Sequence, residues 1–398
     1  MAGSNKLTDA YLPDKGARKE RVVVGLSGGI DSLVTAYLLK IQRYELIAVT
    51  IAPSWEELGK NTSSLISCGL SEKRIEELQA FCHQLGIPHY VVKIPQEFRE
   101  TVVENWISAK ASGEFPSQCW SCHDLRMKFL HEKMKELNAA TLATGHFAKI
   151  FKNEADGNVY VQSSNDELYD QSAFLARLPQ EILKNLMLPL SDLQKKEVLK
   201  LAENFGVDHS AKTLQVFQCF PDTEETKNFL LSRLPARFRK EGQVADEDDN
   251  GLLEHQGVYQ FNKGAVITQT ADRKDLIFAK YVPNERKILV RPASWFQRNK
   301  ILLRSCVVHS DTPWDKPFRG VLLKSGKSLE GWFYPKALSS CLVELDEPAA
   351  LMEGETLCVF RKKGKNSRVL LTGTVNFVEE EKKAEDEAHV QVDYSREF

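Results

Sequence analysis

The sequence lacks any apolar run of membrane length, and its first residues lack the apolar core of a signal peptide. We therefore expect a cytoplasmic protein with no membrane partner. An excess of basic charge is also missing, since the formal net charge is −2; this argues against a wholly basic nucleic-acid binder. Cysteine is scarce as well. Eight cysteines in 398 residues do not make a disulfide framework, so their spacing matters more than their number.

A Ser/Gly-rich turn lies between an apolar run and an amphipathic run. The run at 21–26 predicts a buried strand, and the run at 33–40 has apolar residues at helical spacing. The turn between them reads Ser27-Gly28-Gly29-Ile30-Asp31-Ser32. Backbone N–H groups and the helix dipole favour an anion in such a turn, and the two serines add hydroxyl donors. Asp31 would repel a phosphate unless a cation lies between them, which indicates Mg²⁺.

This turn is not the common Gly-x-x-x-x-Gly-Lys-Ser/Thr loop, because no lysine follows the glycines. It resembles the SGG-x-DS loop of the ATP pyrophosphatases, which split ATP between the α and β phosphates. An ordinary glycine turn is the alternative interpretation. The turn lies after the first predicted strand, where open α/β sheets bind ligands.

The order of the predicted elements indicates several domains. From residue 20 to about 150, strand-like and helix-like segments alternate, which predicts an α/β fold with a doubly wound, mostly parallel sheet. Mainly helical segments follow, and after about 240 the runs are short and β-rich. We expect an N-terminal extension (1–19), an ATP-binding catalytic domain with a helical C-terminal part (20–235), a small central β domain (236–292), a β-barrel-like domain (293–378) and a charged tail (379–398).

Three cysteines are candidates for sulfur or metal chemistry. Cys119 and Cys122 form a Cys-x-x-Cys pair just before a helix predicted at 124–137, where a thiolate is a better nucleophile or ligand. Zinc would need two further ligands, and only Cys219 is an obvious third sulfur. Three sulfurs fit a cluster with one open iron, or a persulfide relay, better than structural zinc. A redox couple, chance spacing and an ordinary buried thiol at Cys219 stay open.

Five motifs in order resemble those of the tRNA 2-thiouridylases, from about residue 20 to about residue 378. These motifs are the SGGIDS loop, Cys119–Cys122, Ala143–Ala148, Asp170–Leu175 and Cys219-Phe220. That family replaces the C2 oxygen of a wobble uridine in tRNA with sulfur. The resemblance implies a tRNA-uridine 2-sulfurtransferase that adenylates the C2 oxygen with ATP, releases pyrophosphate and then AMP, and belongs to the PP-loop ATP pyrophosphatases as a divergent member.

The resemblance also implies a role for each matching residue. Nucleotide contacts are implied for Gly25, Leu26, Ser27, Gly28, Gly29, Ile30, Asp31, Ser32, Ile51 and Gly145. Contacts with tRNA are implied for Ser117, Gln118, Cys119, His146, Tyr169, Asp170 and Gln171. The implied catalytic residues are Asp31, the nucleophile Cys122 and the persulfide carrier Cys219. The cofactors are ATP and Mg²⁺, and the sulfur comes from a donor protein such as a cysteine desulfurase or a sulfur carrier.

Two versions of the sulfur step are compatible with these residues. In one, Cys219 carries a persulfide that Cys122 resolves; in the other, Cys119, Cys122 and Cys219 bind a [4Fe–4S] cluster, which the sequence slightly favours. The chain departs from the family at Ser117-Gln118 and at Tyr169, where the family has Asn-Pro and Lys. Its Gly-Gln-Arg-x-Gly segment is also missing around 260–264. Another ATP pyrophosphatase ligase and a non-catalytic paralogue that binds RNA or a cluster are the alternatives.

Overall fold

The computed structural model describes residues 20–53, 72–114, 118–154, 157–207, 219–246, 248–269, 275–309, 312–324, 327–336, 339–362, 364 and 367–378. The predicted extension at 1–19, Ser117 and the predicted tail at 379–398 lie outside these residues. Within them, no helix is both long enough and apolar enough to cross a membrane.

The N-terminal half is built on a parallel sheet. Its strands, together with a separate hairpin, are β1 (Arg21–Gly25), β2 (Glu45–Ala52), β3 (His89–Lys93), β4 (Thr141–Ala143), β5 (Lys149–Lys152), β6 (Val159–Gln162) and β7 (Leu186–Met187). The sheet has the order β3-β2-β1-β4-β7 and all its neighbours are parallel. The strand order reverses between β1 and β4, which makes the carboxyl end of β1 the switch point where such sheets bind ligands. The predicted fold class is confirmed.

Helices cover the sheet. They are α1 (Ile30–Ile41), α2 (Glu72–Leu85), α3 (Pro95–Phe98), α4 (Glu104–Ser112), α5 (Gln118–Glu136), α6 (Ser172–Leu175), α7 (Gln180–Leu183), α8 (Lys195–Asn204) and α9 (Glu224–Arg233), with a π-helical turn at Arg99–Val103. One predicted boundary is wrong: α5 begins at Gln118 instead of Asp124. Asp124 does not cap a helix start but pairs with Arg177, at 3.2 Å. Cys119 and Cys122 therefore lie within the helix and not before it.

The C-terminal half is made of strands with short 3₁₀ turns at Ala236–Phe238, Val258–Gln260 and Ala293–Phe296. The strands are β8 (Gly242–Ala245), β9 (Gly251–His255), β10 (Val266–Gln269), β11 (Asp275–Val282), β12 (Lys287–Pro292), β13 (Gln297–Val308), β14 (Phe318–Lys324), β15 (Lys327–Lys336), β16 (Ser340–Ala350), β17 (Thr356–Phe360) and β18 (Val369–Phe377). Strands β8 to β12 form one sheet in the order β10-β11-β12-β8-β9, and β13 to β18 close into a barrel. Closure removes exposed sheet edges. The division of the chain into domains stays a prediction.

The barrel packs on the hairpin β5–β6 of the N-terminal half. The guanidinium of Arg368 lies 4.5 Å from the ring centroid of Phe151 and 5.3 Å from that of Tyr160. The Ser163 N–H donates to the carbonyl of Ser367 at 2.9 Å. Four barrel side chains belong to the same buried cluster as the sheet and α5: Val321, Cys358, Phe360 and Val369. The two halves therefore share part of one hydrophobic core.

Candidate active site

The phosphate loop (Leu26–Ser32) leaves the carboxyl end of β1 and enters α1. Gly28 has φ +81°, a left-handed conformation that suits glycine. The hydroxyl of Ser32 donates to the Gly29 carbonyl at 2.8 Å and accepts the Ser27 N–H at 3.2 Å. The N-cap residue of α1 is Gly29, which has no side chain to accept the first N–H groups of the helix. A glycine-containing turn that leads into a helix N-terminus is the arrangement that binds phosphate.

Asp31 pairs with Lys195, a residue that the sequence reasoning missed. The ammonium of Lys195 lies 2.5 Å from the Asp31 carboxylate, and the two side chains are 8% and 31% exposed. Burial raises the pKa of Asp31, and the charge of Lys195 opposes that rise. Lys195 is the first residue of α8, where a cation is unfavourable to the helix dipole. That mismatch is the sequence signal that could have identified it.

Gly145 and His146 follow β4 and reach the start of α1. A Cβ atom on Gly145 would lie 2.8 Å from the backbone carbon of Asp31, so only glycine fits there. The Nδ1 atom of His146 lies 2.9 Å from the Thr144 hydroxyl. Desolvation, together with the charge of His123, lowers the pKa of His146 to about 3, so its ring is neutral near pH 7. Ile51 lies in β2 and is 4% exposed, within the hydrophobic core.

The predicted tRNA contacts at 169–171 lie between β6 and α6. The ring centroid of Tyr169 is 5.7 Å from the Lys195 ammonium. The Asp170 carboxylate accepts the Ser164 N–H at 2.5 Å, and burial raises its pKa. The Gln171 side chain accepts the Phe147 N–H at 3.0 Å. The Asp170 and Gln171 side chains therefore fix the segment between β6 and α6 through bonds to the protein itself.

The three cysteines differ in their surroundings. Cys119 is exposed, whereas Cys122 and Cys219 are 7% and 2% exposed and belong to one buried cluster. Phe220 has φ +59° and stacks on Trp106 at 4.1 Å, which holds the backbone next to Cys219. In the described part of the chain, no three His, Cys, Asp or Glu side chains are grouped so that they could hold a metal ion. As placed here, the three thiols do not fit cluster ligation.

Two buried polar atoms in the first two turns of α5 have no hydrogen-bond partner in the described structure. They are Oε1 of Gln118 and Nε2 of His123, both in the first turns of α5. Gln118 is only 7% exposed. A buried polar atom without a partner costs free energy, which a bound ligand can offset by making the missing hydrogen bond. Gln118 was predicted to contact tRNA; His123 was not predicted, because nothing in the sequence distinguishes it.

Helix α5 brings these residues to the same edge of the sheet as the phosphate loop. Leu130 of α5 lies against Gly25 at the carboxyl end of β1, whereas Leu137 accepts a hydrogen bond from Arg21 at its other end. The helix therefore runs antiparallel to β1. Cys122 precedes Leu130 by about two turns and lies roughly 12 Å further along the helix axis, beyond the end of the strand.

A parallel sheet with a phosphate loop at its switch point defines a nucleotide-binding α/β protein. The family model described as "tRNA methyl transferase HUP domain" matches residues 20–220. A tRNA-specific 2-thiouridylase (MnmA) of Ehrlichia canis (strain Jake) is 30% identical over 88% of this chain and 94% of the relative. The relative of that name from Rhodopseudomonas palustris (strain BisB18) is 30% identical over 74% of this chain and 73% of its own. The chain belongs to the tRNA-specific 2-thiouridylase family, which confirms the predicted family and enzyme class.

One solved structure of a thiouridine synthetase resembles the chain distantly. A 4-thiouridine synthetase in complex with RNA and bound ATP has a TM-score of 0.31 and 14% identity, over 54% of this chain and 51% of that one. At this TM-score the similarity indicates nothing about function.

Proposed function

We propose that this protein catalyses the ATP-dependent 2-thiolation of the wobble uridine of tRNA. The observation that carries the proposal is the antiparallel course of α5, which delivers Cys122 to the sheet edge that bears the phosphate loop. Family membership supports the reaction class. The unpartnered Oε1 of Gln118 supports a base ligand, because the N3–H of uridine is a donor that needs an acceptor.

The first step is adenylation of the base. The C2 oxygen of uridine is a poor leaving group, so it attacks the α-phosphorus of ATP and pyrophosphate departs. Backbone N–H groups of the phosphate loop hold the phosphates. Asp31 offers a carboxylate, the ligand type that Mg²⁺ prefers, and would hold that ion. When bound, Mg²⁺ offsets the charge on the phosphates.

The second step is sulfur transfer through a persulfide on Cys219. Its terminal sulfur bonds to C2 and AMP leaves. The Cys122 thiolate then attacks the inner sulfur of Cys219, the sulfur–sulfur bond breaks, and 2-thiouridine and a Cys122–Cys219 disulfide result. A thiol reductant restores both thiols. Among the described residues the cysteines are not grouped to ligate an iron–sulfur cluster, and the persulfide route needs no such cluster.

The chemistry of the reaction requires two partners, a sulfur donor and a tRNA. Cys219 must receive its sulfur from a donor protein, either a cysteine desulfurase or a sulfur carrier. The acceptor is a tRNA with an unmodified wobble uridine. Both are found in the cytoplasm, which we propose as the location of the reaction.

The test is thiolation by the purified protein. Unmodified tRNA, MgATP, cysteine and a cysteine desulfurase are added, and 2-thiouridine, AMP and pyrophosphate are quantified by mass spectrometry and ion chromatography. We expect one AMP and one pyrophosphate per thiouridine, in a protein without bound iron. AMP release on a different acceptor would indicate another ligase, and no AMP release with any tRNA would indicate a non-catalytic paralogue. About four irons per chain, lost on substitution of Cys119, would establish the cluster route.

A further inference from the structure

Two cationic side chains reach the phosphate loop from different elements. Lys195 comes from the start of α8 and contacts the Asp31 carboxylate. Arg74 comes from the first turn of α2 and donates to the backbone carbonyl of Gly28. Lys195 therefore contacts the start of α1, and Arg74 contacts the turn of the loop. Neither cation belongs to the loop motif itself.

The surroundings of Lys195 are those of a binding residue more than of a stabilising one. A buried ion pair gains little stability, because desolvation of both charges offsets their attraction. Here the Lys195 side chain is 8% exposed, and its ammonium lies 5.6 and 5.7 Å from the ring centroids of Phe147 and Tyr169. Its ion-pair partner Asp31 is itself 31% exposed, so solvent and ligands can reach the pair. A polyphosphate at the loop would therefore lie within reach of this ammonium.

Arg74 is suited to a second phosphate contact. Its guanidinium carries five donors; Nη2 donates to the Gly28 carbonyl and Nη1 to the Glu77 carboxylate. The side chain is 40% exposed, so it can change acceptor at little cost. A guanidinium binds phosphate with two parallel hydrogen bonds, which a carbonyl oxygen cannot accept in the same way.

We propose that Lys195 and Arg74 form a phosphate clamp, in which both cations exchange their acceptors in the protein for phosphate oxygens of ATP. The exchange releases the Asp31 carboxylate for Mg²⁺. The inference rests on the proposed use of ATP, and it adds two residues to the site that the loop motif does not contain. Lys195 holds the polyphosphate at the Asp31 end of the loop, and Arg74 holds it at the Gly28 end.

The experiment compares nucleotides by isothermal titration calorimetry. Lys195→Met and Arg74→Met are each expected to weaken binding of MgATP and of inorganic pyrophosphate roughly 10- to 100-fold, the range for a charged hydrogen bond. AMP binding is expected to stay within about twofold, because AMP lacks the β and γ phosphates. Lys196→Met and Lys73→Met are matched controls, since both lysines are exposed and adjacent in sequence, and they are expected to bind like the parent protein.

A second comparison is made in case the Lys195→Met variant fails to fold. Asp31→Asn/Lys195→Gln removes the whole pair and leaves no buried charge unpaired. In magnesium-free buffer the double variant is expected to bind pyrophosphate at least tenfold more weakly than Asp31→Asn. Equal binding in that comparison, or a parallel loss of ATP and AMP in the single variants, would overturn the clamp. If the unchanged protein binds no ATP, the proposed function itself fails, which is a separate result.

Discussion

The backbone of Gly145 packs directly on the backbone of Asp31, across two elements that are more than 100 residues apart in sequence. A Cβ atom at position 145 would lie 2.8 Å from the Asp31 carbon and 2.9 Å from the Ser32 nitrogen. Both neighbours are main-chain atoms at the start of α1 and cannot rotate away. This contact fixes the distance between β4 and the phosphate loop.

Gly145→Ala is therefore expected to displace the phosphate loop. We expect MgATP affinity to fall at least tenfold and the free energy of unfolding to fall by about 1–3 kcal/mol, as in overpacked cores. Calorimetric titration and urea unfolding measure the two effects. Gly251→Ala is the control, since its new methyl group would meet nothing closer than 3.7 Å. Unchanged ATP affinity in Gly145→Ala would contradict the contact.

Cys219→Ser is expected to abolish thiouridine formation while leaving ATP affinity unchanged, because serine cannot carry a persulfide. Asp31→Ala is expected to weaken the adenylation step, so the release of AMP and pyrophosphate slows and thiouridine formation slows with it. Cys306→Ser is the control: burial raises the pKa of this barrel thiol to about 12, so it stays protonated and unreactive. Full thiolation by Cys219→Ser would eliminate both sulfur routes considered for this chain.

The pKa of His146 predicts a pH dependence of stability. In the folded protein this pKa is about 3, below the ordinary value of 6.5, so the unfolded chain takes up the proton first as pH falls. The contribution of the neutral His146 ring to the free energy of unfolding is complete above pH 6.5. It is lost as pH falls towards 3, by up to about 1.4 kcal/mol per pH unit. Urea unfolding between pH 4 and 7 should show that the free energy of unfolding depends less on pH in His146→Asn than in the parent.

Arg368→Ala is expected to loosen the barrel from the hairpin β5–β6. Loss of the contacts with Phe151 and Tyr160 should lower the free energy of unfolding by about 1–2 kcal/mol. ATP affinity should stay unchanged, because neither ring touches the phosphate loop. Thermal unfolding measures the effect, and Arg304→Ala, an exposed arginine of the same barrel, is the control. A melting temperature equal to that of the parent would mean that the two ring contacts contribute nothing.

Much of the fold could be predicted because its signals are local. The apolar runs at 22–26 and 46–51 are short and β-branched, and they form adjacent parallel strands. The start of α5 was misplaced because Ser121, His123 and Asp124 have weak helix propensity, and packing against β1 overrides that preference. The hairpin β5–β6 was not predicted either, because its contacts with the barrel join residues that are distant in sequence.

The spacing of the nucleotide-site residues in the sequence decided which of them could be predicted from a motif. The phosphate loop is a continuous motif, so its position after β1 followed from the sequence. Lys195 is separated from Asp31 by 164 residues, and nothing local links the two. The same applies to Arg74, whose acceptor at Gly28 depends on how α2 packs.

The hydrophobic core that the two halves share makes the chain sensitive to truncation. A chain cut after residue 235 would lose the barrel side chains that pack against the sheet: Val321, Cys358, Phe360 and Val369. Each large apolar side chain in such a core contributes about 1.5–3 kcal/mol, whereas a whole protein is stable by about 5–15 kcal/mol. The nucleotide-binding half is therefore unsuited to independent expression, and a nonsense mutation upstream of the barrel would remove the enzyme altogether instead of leaving a smaller ATPase.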